Sequence, residues 1–281
     1  MTGSDLSAVT KIPPLAKLLG HGRPLVMGIL NVTPDSFSDG GAFFDPDVAI
    51  RRAHRMAEDG ADLIDVGAES TRPYGDAIAV PVEEELRRLD RVVPAIVRLG
   101  VPISIDTMKA EVARWALDAG ASIANDVWGL QRDPTLVRLI AERGVPVIVM
   151  HNRERADPAL DIIVDIKAFF ARSLDIADRA GIRREAIVLD PGIGFGKTPD
   201  QSMTAIARLA ELQSFGQPLL VGASRKRFIN QVTPAPPDRR LGGSIAAHLL
   251  AVRNGAAIIR AHDVAETVQA LRVVAAIDHQ R

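Results

Sequence analysis

Short runs rich in Val, Ile and Leu recur along the chain, separated by longer stretches in which apolar residues return at helical spacing. Eight runs stand out: LVMGILN from Leu25, LIDVGAE from Leu63, PISIDT from Pro102, SIANDV from Ser122, PVIVMH from Pro146, AIVLDPG from Ala186, PLLVGAS from Pro218 and AIIRAHD from Ala257. Apolar runs of this length, bounded by turn residues, predict buried strands. Stretches such as VEEELRRLDRVVPAIVRL from Val82 and TVQALRVVAAI from Thr267 predict amphipathic helices. Regular alternation of the two predicts an α/β fold on a parallel sheet. A doubly wound open sheet satisfies that alternation as well as a closed barrel does.

The polar residues discriminate between them. Nearly every run finishes on one: Asn31, Glu69, Asp106, Asn125 with Asp126, His151, Asp190, Ser224, and Arg260 with His262. In a parallel barrel these positions meet at one face, where the βα loops build the active site. That convergence favours a (β/α)8 TIM barrel. Two connections, NVTPDSFSDGGAFFDPD from Asn31 and the segment from Arg225 to Arg240, are long and rich in turn residues, as lids are.

The length of 281 residues fits one such barrel, with residues 1–15 expected as a flexible N-terminal segment and 16–281 as the barrel domain. Only 4% of residues are aromatic against 47% hydrophobic, so the core must be built from small aliphatic side chains. Lys and Arg number 34 against 35 acids, which leaves no global field to attract nucleic acid or an anionic membrane and points to a small-molecule partner. The chain has no cysteine, which excludes disulfides, thiolate metal sites and a cysteine nucleophile and fits a reducing compartment. The first residues lack the apolar core of a signal peptide, so a soluble cytoplasmic protein is expected.

Several residue groups are candidates for chemistry. The stretch PGIGFGKT from Pro191 fails the P-loop spacing at Pro191 and the dinucleotide spacing at Lys197, so its glycines serve backbone approach to a flat ligand or an ordinary turn. Asp106 and Asp190 at strand ends suit the N–H edge of an aminopyrimidine, although Asp106 also fits a helix N-cap. Asn125 supplies a donor and an acceptor to the same heterocycle. Arg260 and His262 point the same way on one strand, and with Arg72 they suit a phosphate. Asn31 offers a neutral oxygen to a magnesium that keeps most of its waters. In SRKRF, Ser224 reads as the start of a helix whose N-terminus faces a carboxylate, and Arg227 as a solvated charge. The histidines show no metal-ligand spacing, and no Gly-x-Ser-x-Gly elbow occurs.

Taken together, MGILNVTPDSFSDGG, DVGAESTRP, ISIDT, AND, LDPGIGFGK, VGASRKRF and IIRAHDV, in this order between about Leu25 and Ile277, make the chain resemble the dihydropteroate synthases. The resemblance implies condensation of 6-hydroxymethyl-7,8-dihydropterin diphosphate with 4-aminobenzoate, giving 7,8-dihydropteroate and diphosphate, in an enzyme that is a sulfonamide target. It implies that Asp106, Asn125, Asp190 and Lys226 hold the pterin, with Met150 among the apolar walls. Asn31 would contribute to Mg2+ binding, and Thr71, Arg72, Arg260 and His262 would surround the diphosphate. Phe37, Pro73, Phe195 and Ser224 would frame the aminobenzoate, with Arg225 and the Ser224 helix start facing its carboxylate. The catalytic residues would be Asp106, Lys226, Arg260 and His262, in a homodimer.

Two departures stand out: Ser202 where many members have Asn, and a slightly longer loop, YGDAIAVPVEE, after STRP. A pterin-binding methyltransferase and a catalytically silent paralogue remain as other readings. Asn31, its loop and the Arg260/His262 pair favour the synthase over the first, and the intact site residues argue against the second.

Overall fold

The computed structural model describes residues 15–33, 45–69 and 80–280. Within them the eight predicted strands are all present: β1 (Leu25–Asn31), β2 (Leu63–Gly67), β3 (Ile103–Asp106), β4 (Ile123–Asp126), β5 (Val147–Met150), β6 (Ile187–Asp190), β7 (Leu219–Val221) and β8 (Ala256–Ala261). Every pairing is parallel and the order is sequential, with β8 closing on β1 through Leu25 opposite Ile258. The closed barrel excludes the open doubly wound sheet.

The helices are α1 (Leu15–Leu19), α2 (Pro46–Glu58), α3 (Val82–Leu89), α4 (Val93–Ile96), α5 (Ala110–Asp118), α6 (Pro134–Arg143), α7 (Ile162–Ala180), α8 (Pro199–Ala207), α9 (Arg227–Val232), α10 (Leu241–Arg253) and α11 (Val264–Asp278). Asp45, Asp133 and Asp161 cap α2, α6 and α7 through their carboxylates, which accept from backbone N–H groups of the first turn. The single helix expected from Val82 is instead broken. α3 stops at Leu89 and α4 restarts at Val93 with Pro94 in its first turn, because a proline ring cannot sit in a helix interior.

Side chains on a strand alternate between faces, and that period builds the site. Leu63, Ile123, Ile148, Val188, Leu220 and Ile258 join Leu25 and Met27 in one apolar plug inside the barrel. Two residues further along the same strands stand Asp65, Asn125, Met150, Asp190, Gly222 and Arg260. The plug therefore forms a dry floor under a polar layer at the C-terminal mouth. Outside the strands, Ala, Val, Ile and Leu fill the space beneath the helices, with Phe169 and Phe170 of α7 the large side chains of that shell.

Candidate active site

A cavity opens at that mouth, lined by Asp106, Asn125, Val127, Met150, Asp190, Ile193, Phe195, Gly222, Lys226 and Arg260. Asp106, Asn125, Met150, Asp190, Phe195, Lys226 and Arg260 are thus brought together as the sequence predicts. Asp106 is not a helix cap, since α5 starts four residues later, at Ala110 behind Lys109, whose N–H bonds the Thr107 hydroxyl. Its Oδ1 is buried without a hydrogen-bond partner, as is Oδ1 of Asp65. An orphaned carboxylate oxygen at a cavity wall is satisfied by a ligand donor.

Asp65 is the residue the pattern did not single out. It lies fully buried at the middle of β2, and its Oδ2 accepts from Asn125 Nδ2 at 3.0 Å and from Arg260 Nε at 2.7 Å. Arg260 Nη2 also donates to Asp106 at 3.1 Å. The guanidinium therefore stands among the pocket acids, deeper than a rim position, and Nη1 has no partner among the described residues. Burial and the Asp65 charge push Asp106 up to about 7, against the pull of Arg260. Burial likewise pushes Asp190 up to about 6, although the Gly192 N–H at 2.7 Å, Arg260 and Lys226 favour its ionised form.

The glycines of PGIGFGK have a steric reason. Gly192, Gly194 and Gly196 all adopt positive φ, and a Cβ on Gly192 would lie 2.0 Å from the His151 carbonyl oxygen. This winding turns Phe195 into the cavity, where Lys226 Nζ stands 4.1 Å above its ring centroid. It also turns Lys197 inward, 1% exposed, with Nζ 2.6 Å from His151 Nδ1, 2.9 Å from Gly192 O and 3.1 Å from Phe195 O. Burial pulls Lys197 down to about 7, against Asp190 and Asp165. Nothing in the sequence pattern marks Lys197 as buried except the glycines around it.

Helix α9 starts at Arg227, not at Ser224, because Arg225 is left-handed with φ 58°, a conformation no first helical turn admits. The expected anion site at a Ser224 helix start is therefore corrected. The Ser224 hydroxyl instead meets His262, at 3.2 Å from its backbone N and 2.9 Å from Nδ1. Arg225 is paired with Asp263 through both its Nε and Nη2, and its N–H donates to the Ser244 hydroxyl at 2.9 Å. Arg227 is exposed, as read. Burial pulls His262 well below its usual range, and Arg260, Arg225, Arg52 and Lys226 add to the effect.

Ser202 donates to the Thr198 carbonyl within α8, whose start is capped by Thr198 and Gln201, so the departure at Ser202 leaves the cap intact. Asn31 ends β1 at the mouth. Among the described residues no cluster of His, Asp and Glu is able to hold a metal. Phe37, Thr71, Arg72 and Pro73 lie outside the described residues.

With this geometry in hand, the comparisons with known proteins are informative. A model of the pterin-binding enzyme family matches residues 27–262. The dihydropteroate synthase of Bacillus subtilis is 43% identical over 256 residues, covering 91% of this chain and 89% of that protein. The Escherichia coli dihydropteroate synthase is 46% identical over 265 residues, covering 92% and 93%. The structure of Xanthomonas albilineans dihydropteroate synthase in complex with 7,8-dihydropteroate superposes with a TM-score of 0.83 at 44% identity, covering 92% of this chain and 94% of that one. A Yersinia pestis dihydropteroate synthase in complex with a sulfonamide drug gives 0.85 at 43% identity, covering 92% and 95%. Matched by the family model over residues 27–262 and by relatives over about nine-tenths of its length, this chain belongs to the pterin-binding enzymes and, among them, to the dihydropteroate synthase family.

Proposed function

We propose that this chain condenses 6-hydroxymethyl-7,8-dihydropterin diphosphate with 4-aminobenzoate, and that its described cavity is the pterin pocket. The observation that carries the reading is the buried, unpartnered Asp106 Oδ1 facing a cavity that also holds Asp190, Asn125 and Lys226. An aminopyrimidine edge offers adjacent N–H donors to the acids, and Lys226 donates to the ring's acceptors. Met150, Val127 and Ile193 cover the ring faces. Phe195 supplies an aromatic wall to the aminobenzoate beside Ser224 and Arg225, and the family resemblance assigns Phe37 and Pro73 to the same substrate.

In the reaction the methylene C–O bond breaks, its electron pair leaves with diphosphate, and the aryl nitrogen forms the new C–N bond and releases a proton. The reduced ring delocalises positive charge from the methylene carbon, and the acids Asp106 and Asp190 stabilise it electrostatically. Arg260 Nη1 opposes the departing diphosphate from below, with Arg72 and Thr71 joining it. Because the Ser224 hydroxyl accepts from the His262 N–H, it is placed to donate to Nδ1, which leaves Nε2–H as a donor to the anion. The arylamine is neutral near pH 7, so no dedicated base is assigned.

The donor set fits magnesium only as an ion carried in on the diphosphate, because Asn31 is a single neutral oxygen ligand and, among the described residues, no acidic cluster accompanies it. Bound there, magnesium would neutralise leaving-group charge. A homodimer is supported by an apolar groove between α8, α9 and α10, where Val232 and Leu250 are 66% and 47% exposed. No described helix is long and apolar enough to cross a membrane. With the absence of cysteine, this supports a cytoplasmic setting.

The test mixes purified protein, magnesium, the pterin diphosphate and 4-aminobenzoate. Diphosphate release that requires both substrates supports the synthase. No release, release from the pterin diphosphate that does not depend on 4-aminobenzoate, or methyl transfer from a methylated pterin overturns it.

A further inference from the structure

Behind the cavity wall runs a chain of polar groups, buried at His151 and Lys197 and half-buried at Asp165 and Arg153, that the proposed reaction does not use. Asp165 of α7 accepts from His151 Nε2 at 3.0 Å and from Arg153 Nη1 at 2.8 Å. That contact protonates His151 at Nε2 and leaves Nδ1 as an acceptor, which faces Lys197 Nζ at 2.6 Å. The ammonium has three hydrogens, and three acceptors surround it: His151 Nδ1, Gly192 O and Phe195 O. Gly192 in turn donates its N–H to Asp190, and the Phe195 N–H returns to Gly192 O at 3.0 Å.

We infer that Lys197 is a positioning residue: its ammonium, aimed by Asp165 through His151, fixes the Phe195 wall of the aminobenzoate subsite relative to the Asp190 end of the pterin pocket. The two ends depend on it unequally. The Gly192 segment retains its bonds to Asp190 and to the Phe195 N–H without the lysine, whereas Lys197 is the donor to Phe195 O. Removing the ammonium leaves that buried carbonyl unsatisfied, and the peptide must turn to find water, carrying the ring with it. The aromatic substrate therefore feels the loss before the pterin does. The inference rests on Phe195 and Asp190 having the roles proposed above.

The experiment compares Lys197→Met, which keeps the apolar stem, with Asp165→Asn, which is milder because Asn accepts from or donates to either His151 tautomer. Steady-state turnover gives KM for 4-aminobenzoate, and calorimetry gives Kd for 6-hydroxymethylpterin. Phe195→Ala and Asp190→Ala calibrate the two subsites in the same assays. For Lys197→Met the expected result is a KM at least fivefold higher with pterin Kd changed less than threefold, and Asp165→Asn should shift KM in the same direction by about twofold. A purely structural lysine would lower thermal stability and move KM and Kd together, or move neither, and either pattern overturns the inference. If Lys197→Met does not fold, Asp165→Asn decides alone: an unchanged KM overturns it and a selective rise supports it. Should Phe195→Ala leave KM unaltered, or Asp190→Ala leave pterin Kd unaltered, the subsite assignment fails first, and that failure is separately visible.

Discussion

Arg260 donates from Nε to Asp65 at 2.7 Å and from Nη2 to Asp106 at 3.1 Å, so one guanidinium from β8 spans the barrel interior to two carboxylates on β2 and β3. The pairing seats Arg260 in the wall of the cavity proposed for the pterin. Arg260→Ala would leave two buried acids without their cation, a loss of about 3 to 5 kcal/mol in comparable buried pairs. The expected outcome is a clear drop in melting temperature, weaker binding of a phosphate-free pterin and a still larger fall in turnover with the pterin diphosphate. Differential scanning calorimetry and kinetics on one preparation check it, and an unaltered affinity for the phosphate-free pterin would remove Arg260 from the pocket.

Lys226→Ala and Asp190→Ala should each weaken pterin binding at least tenfold, about 1.4 kcal/mol, because each strands a polar group in a site that excludes water. Lys226→Ala also removes the cation above the Phe195 ring. Titration calorimetry with 6-hydroxymethylpterin reads the effect. Full affinity in both variants would dismiss the cavity as the pterin site.

Pterin binding should release protons below neutrality. Asp106 lies near 7 and Asp190 near 6 in the empty site, and a ring that presents adjacent N–H donors requires both acids ionised. Affinity should therefore rise with pH and level off above about 7. The sign for stability is opposite. The folded, empty protein holds protons that the unfolded chain has already released above about pH 4, so this contribution is present in acid and declines as pH rises through 6 to 7. Calorimetry at pH 6 in buffers of different ionisation enthalpy measures the protons released. A heat independent of buffer would show that the acids are already ionised or are not contacted.

The strands and most of the cavity lining were legible because short apolar runs bounded by turn residues recur along the chain and finish on polar residues, which a parallel barrel gathers at one face. Asp65 was harder to see. It stands between Ile64 and Val66, where the run reads as apolar, and the available sign was an acid inside a strand buried on both faces. Lys197 was obscured because sequence does not say which lysine turns inward; that depends on three glycines with positive φ. The Ser224 helix start was misread for a physical reason of the same kind. SRKRF has the composition of an N-cap, but Arg225 is held left-handed by bonds to Asp263 and Ser244, partners distant in the chain.

The last prediction is ordered binding. The residues assigned to aminobenzoate, Phe37 and Pro73, share their two chain segments with residues assigned to magnesium diphosphate, Asn31, Thr71 and Arg72. The second segment departs from a fixed base. Glu69 accepts the Val80 N–H at 3.1 Å and pairs with Lys109, which also reaches buried Glu85 at 2.8 Å. Fixing a backbone residue costs on the order of 1 kcal/mol, and the diphosphate, with its charge and several acceptors, offsets that cost far better than a monoanionic ring does. Filling of the anion side is therefore expected to precede productive binding of the arylamine. A sulfonamide presents an aromatic amine with sulfonyl oxygens in place of the carboxylate, so it should compete with 4-aminobenzoate and not with the pterin. Its measured affinity should rise at least tenfold when 6-hydroxymethylpterin, magnesium and diphosphate are present. A fluorescent sulfonamide titrated with and without those three components reads the coupling, and equal affinity in the two titrations would show that the aminobenzoate subsite is complete in the empty enzyme.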